Sequence, residues 1–240
     1  MTGTTATDLR QPIRRAHAFG RTLVGRARRS AGGADAAGTR AVLIVGAQRS
    51  GTTMLLEVMG RLPGVEIYGE SDPRAFESFR IRSPEVIRSI VASSRTRAVV
   101  FKPLCDSHRT ASLLDELGTP PRPRAVWVYR APDDRVRSSV AKFGDSNRRA
   151  LRRIAQDGDL TGWQAGGLSG ERLALIQSFD YDRLSPESAA GLFWYVRNSL
   201  YFDLGLDQRP DVTLCSYDAF VAAPEASMQA LCRFLELEYE

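Results

Sequence analysis

Ala41-Val42-Leu43-Ile44-Val45-Gly46-Ala47-Gln48-Arg49-Ser50-Gly51-Thr52-Thr53 is the stretch on which the fold turns. Its first five residues are an unbroken aliphatic and β-branched run, which suits a strand buried on both faces. A Gly-containing turn follows, and then apolar residues at helical spacing through Met54, Leu55, Val58 and Leu62. A parallel strand that delivers the chain to a helix start presents unpaired N–H groups and the positive end of the helix dipole, which favour an anion. Gly46 and Gly51 let the backbone wrap a phosphate, Ser50, Thr52 and Thr53 add hydroxyl donors, and Arg49 adds a fixed charge. The segment therefore reads as a phosphate-binding loop. The bland alternative is an ordinary strand-to-helix connection with a Ser or Thr cap.

Outward from this loop, strands alternate with helices. Val65–Tyr68, Arg97–Phe101, Ala125–Tyr129 and Val212–Cys215 are the further strands. Helical patterns cover Ser83 to Val91, Thr110–Leu117, Asp133–Phe143, Ser185–Leu204 and Pro224–Leu237. This order predicts an α/β fold of the P-loop type: three layers, with a central, mainly parallel sheet flanked by helices. Residues 1–39 form an Arg-rich arm that ends in a Gly/Ala/Ser linker, and residues 40–240 form the catalytic domain.

The loop lacks the main mark of a nucleoside triphosphatase. Such loops end Gly-Lys-Ser/Thr, the lysine reaching the β- and γ-phosphates. Here Gly51 is followed by Thr52, and the cation comes earlier, at Arg49. A second segment, Arg130-Ala131-Pro132-Asp133-Asp134-Arg135-Val136-Arg137-Ser138, follows a strand directly. Arg130 leaves the sheet's carboxyl edge, and Pro132 starts a helix with Ser138 on its second turn. Both can converge on one dianion beside the first loop, where open α/β sheets bind ligands.

These two segments resemble those of the sulfotransferases that use 3′-phosphoadenosine 5′-phosphosulfate (PAPS). That family's 5′-phosphosulfate loop reads Lys/Arg-Ser-Gly-Thr-Thr, matched by Arg49 to Thr53, and its 3′-phosphate site reads Arg-x-Pro-x-Asp-x-x-x-Ser, matched by Arg130 to Ser138. The resemblance implies PAPS as co-substrate, no metal, and transfer of a sulfuryl group to a hydroxyl or amine of an acceptor. The cytosolic branch has a base histidine two residues after a strand-end lysine; after Lys102 that position is Leu104. Tyrosylprotein and several carbohydrate enzymes instead use a glutamate after the second strand, which points to Glu70 as base. A solvated acid or a partner for Arg74 is the alternative for Glu70. The resemblance also assigns Arg49 and Lys102 to the reacting group and Tyr217, in Ser216-Tyr217-Asp218, to the nucleotide. His108 stands as the other candidate base. The cytosolic branch covers its nucleotide with a late Arg-Lys-Gly segment, which residues 235–240 do not match. A nucleotide kinase or NTPase, and a non-catalytic relic that binds the desulfated nucleotide PAP, remain as competing readings.

Composition narrows the partners. The net charge of +5 comes from residues 1–40, where eight arginines face only Asp8 and Asp35. The body, with 25 basic and 26 acidic residues, lacks the electrostatic footprint of a nucleic-acid binder. The basic arm suits a solvated segment, a contact with anionic lipid or an organelle address. Three cysteines without CxxC spacing, Cys105, Cys215 and Cys232, point to a reducing, cytoplasmic setting. No apolar run of about 18 residues occurs to span a membrane. Small-molecule, carbohydrate and peptide acceptors all fit. Residues 144–184, rich in arginine, suit a lid or a solvated helical face, and the aromatics Phe193 to Phe202 suit core or an acceptor pocket.

Overall fold

In the computed structural model, residues 38–118 and 120–239 are described; the arm read from residues 1–39 lies almost wholly outside them. Five strands form one sheet: β1 (Arg40–Gly46), β2 (Val65–Tyr68), β5 (Ala98–Phe101), β6 (Arg124–Tyr129) and β7 (Val212–Ser216). Their spatial order is β2-β5-β1-β6-β7, and all four pairings are parallel. A small antiparallel hairpin, β3 (Phe76–Glu77) with β4 (Arg80–Ile81), stands apart from it.

The sequence of β1 explains its central place. Every residue from Arg40 to Gly46 is buried. Successive side chains of a strand point to opposite faces, so Ala41, Leu43 and Val45 join one core with Phe101 and Trp127, while Val42 and Ile44 join another with Val100, Val126 and Val128. The first face is covered by α2 (Pro84–Ser93), α3 (Thr110–Glu116) and the end of α7 (Pro186–Asp203); the second by α1 (Thr52–Met59) and α9 (Pro224–Leu235). Helices lie on both faces of a parallel sheet, as the alternating pattern requires.

The outer strands read differently. Along β7 burial is patchy, and Leu214 is exposed, as an edge strand with one neighbour allows. The short helix α8 (Tyr217–Ala222) follows it at once, its start capped by Ser216 Oγ, which accepts from the amide of Ala219 at 3.2 Å.

Residues 144–184 do not form a free lid. After α4 (Pro132–Phe143), the chain folds into α5 (Ser146–Arg152), a wide turn over Arg153–Asp157, and α6 (Gly170–Gln177). Leu151, Ile154, Ala165, Ile176 and Tyr181 pack on Ala189, Phe193 and Val196 of α7, forming a third core. The arginines lie outside it, Arg148 pairing with Asp145 at 2.8 Å and Arg152 with Asp182 at 3.1 Å. The solvated-face reading of that charge run holds.

Residues 236–239 sit at the strands' N-terminal edge. Glu236 pairs with Arg40 (2.5 Å) and Arg124, and Glu238 with Arg97 (2.6 Å), residues that begin or precede β1, β6 and β5. Among the described residues no helix is long and apolar enough to cross a membrane.

Candidate active site

A cleft of about 300 Å³ opens at the opposite, C-terminal edge of the sheet. It is built from the loop after β1, the residues just beyond β2, β5, β6 and β7, and one face of α4. Open parallel sheets bind ligands at this edge, beside the strand where the connections change direction; here that strand is β1.

The loop has the backbone an anion cradle requires. Arg49 takes φ 68 and Gly51 φ 93, so the chain doubles back before α1 begins. The first helical bond runs from Leu55 N to Gly51 O at 3.0 Å, which leaves the amides of Thr52, Thr53 and Met54 without helical acceptors. All three residues line the cleft. Gly46, at φ 126, packs so closely on β6 that a Cβ would lie 2.3 Å from the carbonyl oxygen of Val128. Ser107 clamps the same residue: its Oγ accepts from Gly46 N and donates toward Gly46 O, each at 3.1 Å.

The two quoted motifs meet. Arg49 Nε donates to Ser138 Oγ at 3.1 Å across 89 residues of chain. The Arg130 guanidinium lies 4.5 Å from the Tyr217 ring centroid and 3.7 Å from Asp134. Its Nε is buried with no partner among the described residues. Trp194 Nε1 donates to the Arg130 carbonyl at 2.9 Å, and Asp218 accepts from the amide of Ala131 at 2.7 Å, so both ends of this turn are held.

Glu70, just beyond β2, and Lys102, just beyond β5, form an ion pair of 2.9 Å; the strands themselves are adjacent. Lys102 Nζ also reaches Thr53 Oγ1 at 3.2 Å, which ties the pair to the loop. Both side chains are largely buried yet line the cleft. Beneath them, Cys105 Sγ lies 3.9 Å from Glu70 Oε1. Burial, and then the charge of Glu70, push the Cys105 thiol up to about 11, so it stays protonated and can donate to the carboxylate. Arg74 is not the partner of Glu70: it pairs with Asp72 at 2.7 Å and stacks on Tyr68.

Of the residues singled out from sequence, Arg49, Gly51, Thr52, Thr53, Glu70, Lys102, Arg130, Ser138 and Tyr217 all line this cleft. Ser50 does not. It is fully buried behind the loop, its Oγ without a partner among the described residues. His108 is also elsewhere, its ring packed against Gly166 and Gly167. Burial, with Arg197 and Arg80 nearby, pushes it down to about 4. No aromatic between Phe193 and Phe202 lines the cleft: Phe193 and Tyr201 are core, and Phe202 is exposed on the far surface.

Gln48, Met54, Leu104 and Phe143 complete the lining. Reasoning from sequence missed Phe143 and the clamps Ser107, Trp194 and Asp218. Only Asp218, beside Tyr217, carried a local signal. The others reach the site through tertiary packing over long chain separations.

A family model described as a sulfotransferase domain matches residues 39–240. No curated protein matches the chain. Among solved structures the chain is similar to a crystal structure of a sulfotransferase from Alicyclobacillus acidocaldarius, with 19% identity over 82% of this chain and 81% of that one, at a TM-score of 0.48.

Proposed function

The chain belongs to the sulfotransferase domain family, and on that premise we propose that it moves a sulfuryl group from PAPS to an acceptor hydroxyl. The observation that carries this reading is the convergence of three charged sets on one cleft: the loop with Arg49, the pair Arg130 and Ser138, and the ion pair Glu70–Lys102.

The donor's 5′-phosphosulfate fits the free amides at the start of α1, where the helix dipole favours an anion. Arg130 and Ser138 suit the 3′-phosphate, with the unpartnered Nε of Arg130 supplying a donor. Glu70 takes the acceptor's hydroxyl proton while the acceptor oxygen attacks sulfur. The bond between sulfur and the bridging phosphate oxygen breaks, and PAP leaves carrying the electron pair. Lys102 and Arg49 oppose the negative charge that develops on the transferring group and leaving oxygen. Lys102, which already spans Glu70 and Thr53, is placed to turn toward the donor and release Glu70.

Of the lining left over after donor and reacting groups, Met54, Leu104 and Phe143 are apolar and Gln48 is polar, which supports an uncharged, mainly apolar body around the acceptor hydroxyl. Cys105, Cys215 and Cys232, free and buried, support a reducing, cytoplasmic setting.

The test is calorimetric titration with PAP against ATP–Mg, followed by PAP release from PAPS in the presence of alcohols and phenols. PAP should bind and ATP should not, and Arg130→Ala should abolish binding. Glu70→Gln should keep PAP affinity and lose at least about 100-fold in turnover. Preference for ATP–Mg, or full turnover by Glu70→Gln, would overturn the reading.

A further inference from the structure

Arg135 sits on α4 one turn before Ser138 and is completely buried. Taking a guanidinium out of water costs several kcal/mol unless an opposite charge is near. None of the carboxylates among the described residues pairs with it. Its Nε donates to the carbonyl of Gln48 at 3.2 Å, its Nη1 to the carbonyl of Ala190 at 2.7 Å, and its plane lies 5.5 Å from the Phe193 ring centroid. These are dipoles and a quadrupole, not counter-charges. Carboxylates around the cleft hold other partners: Asp134 has Arg130 and Arg137, Glu70 has Lys102, and Asp218 accepts from the Ala131 amide. The charge that does act on Arg135 is another cation. Burial first, and then Arg49, pull it down to about 10, which leaves it charged at neutral pH.

Gln48 belongs to the phosphate loop. In a trans peptide the N–H points away from the C=O, so tying the Gln48 oxygen inward to Arg135 turns the amide of Arg49 outward, at the residue that adopts φ 68. A successive run of such amides makes an anion-binding concavity.

We infer that Arg135 is a positioning residue for the sulfuryl donor: it fixes the Gln48 carbonyl, and it is a standing positive charge beneath the loop that the donor's phosphates neutralise. The inference rests on the proposed donor. A bound anion completes an ion pair that the unliganded protein lacks, so the arginine disfavours the empty state and favours the filled one. A residue that merely supported the fold would favour both.

The experiment separates these signs. Wild type, Arg135→Met, Arg135→Gln and Arg135→Lys are titrated with PAP and with inorganic pyrophosphate, and the unliganded melting temperature of each is recorded. Removing the charge should weaken both ligands at least about tenfold, a change of about 1.4 kcal/mol, while the unliganded melting temperature stays level or rises. Arg135→Lys should recover part of the lost affinity, because it keeps a positive charge but not the fork that holds both carbonyls. Wild-type affinity in both neutral variants would overturn the inference. So would a loss of affinity that lysine does not rescue and that tracks a lower melting temperature, or failure of both neutral variants to fold. If wild type binds pyrophosphate but not PAP, the donor reading falls alone and Arg135 is judged on pyrophosphate. If wild type binds neither, both fall.

Discussion

A Cβ placed on Gly51 would lie 2.1 Å from Cδ2 of Tyr217, and the residue's φ of 93 disfavours any side chain. The clash and the strain act on the same loop, each of order 1–3 kcal/mol. Gly51→Ala should therefore weaken PAP binding at least about tenfold, read by calorimetry. Adding Tyr217→Ala should recover only part of this, because it makes room without changing φ. Wild-type affinity in Gly51→Ala would show that the ring can move aside freely. Tyr217 thus has a packing role as well as the nucleotide contact suggested by its place in sequence. The local segments around Gly51 and Arg130 were legible because each is a run of nine residues or fewer with fixed chemistry. The inward turn of the Ser50 side chain was not legible there: a hydroxyl inside a donor-rich run looks like a ligand contact, and only the turn's geometry buries it.

Between elements, the turn Leu104–Arg109 does more than follow β5. Ser107 clamps Gly46, Asp106 accepts from Arg80 Nε and Ile81 N at 2.8 Å each, and His108 seats the 158–168 segment. His108 is neutral in the folded chain down to about pH 4, against an ordinary value of 6.5. The unfolded chain takes up a proton at this site below about pH 6.5 and the folded chain does not, so falling pH favours unfolding through that window. Below about pH 4 the site adds nothing further. His108→Gln should remove this share: melting temperatures at pH 7, 5.5 and 4.5 should converge with wild type as pH falls. Parallel decline of the two proteins would assign the acid sensitivity to carboxylates alone. Strand and helix types were readable because apolar residues run unbroken through strands buried on both faces and recur near every 3.6 residues in the helices. The hairpin Phe76–Ile81 and the helices within 144–184 were not, since two-residue strands carry no periodic signal and the apolar residues of 144–184 close their core on α7, far along the chain.

Across the whole molecule, the anchoring of residues 236–239 and the cleft lie at opposite edges of the sheet. Glu236 bridges the starts of β1 and β6, but its side chain is more than half exposed, so water and salt screen the pairs. Glu236→Ala should cost under about 1 kcal/mol of stability and leave PAP affinity within about twofold, because distant sites act independently. A large loss of PAP affinity would mean that strain passes through the sheet from edge to edge.

The strand order β2-β5-β1-β6-β7 sorts the cleft by chemistry. The residues proposed for the donor follow β1, β6 and β7, whereas Glu70 and Lys102 follow β2 and β5, on the other flank of β1. The proposed base and the donor cradle therefore come from opposite flanks of β1 and are joined across it by Lys102, which bonds both Glu70 and Thr53. The turn after β5 joins them a second time, since Ser107 holds both backbone groups of Gly46 at the root of the phosphate loop. On this layout the two halves of the cleft share one spine, so a change made on the acceptor flank is felt in the nucleotide grip.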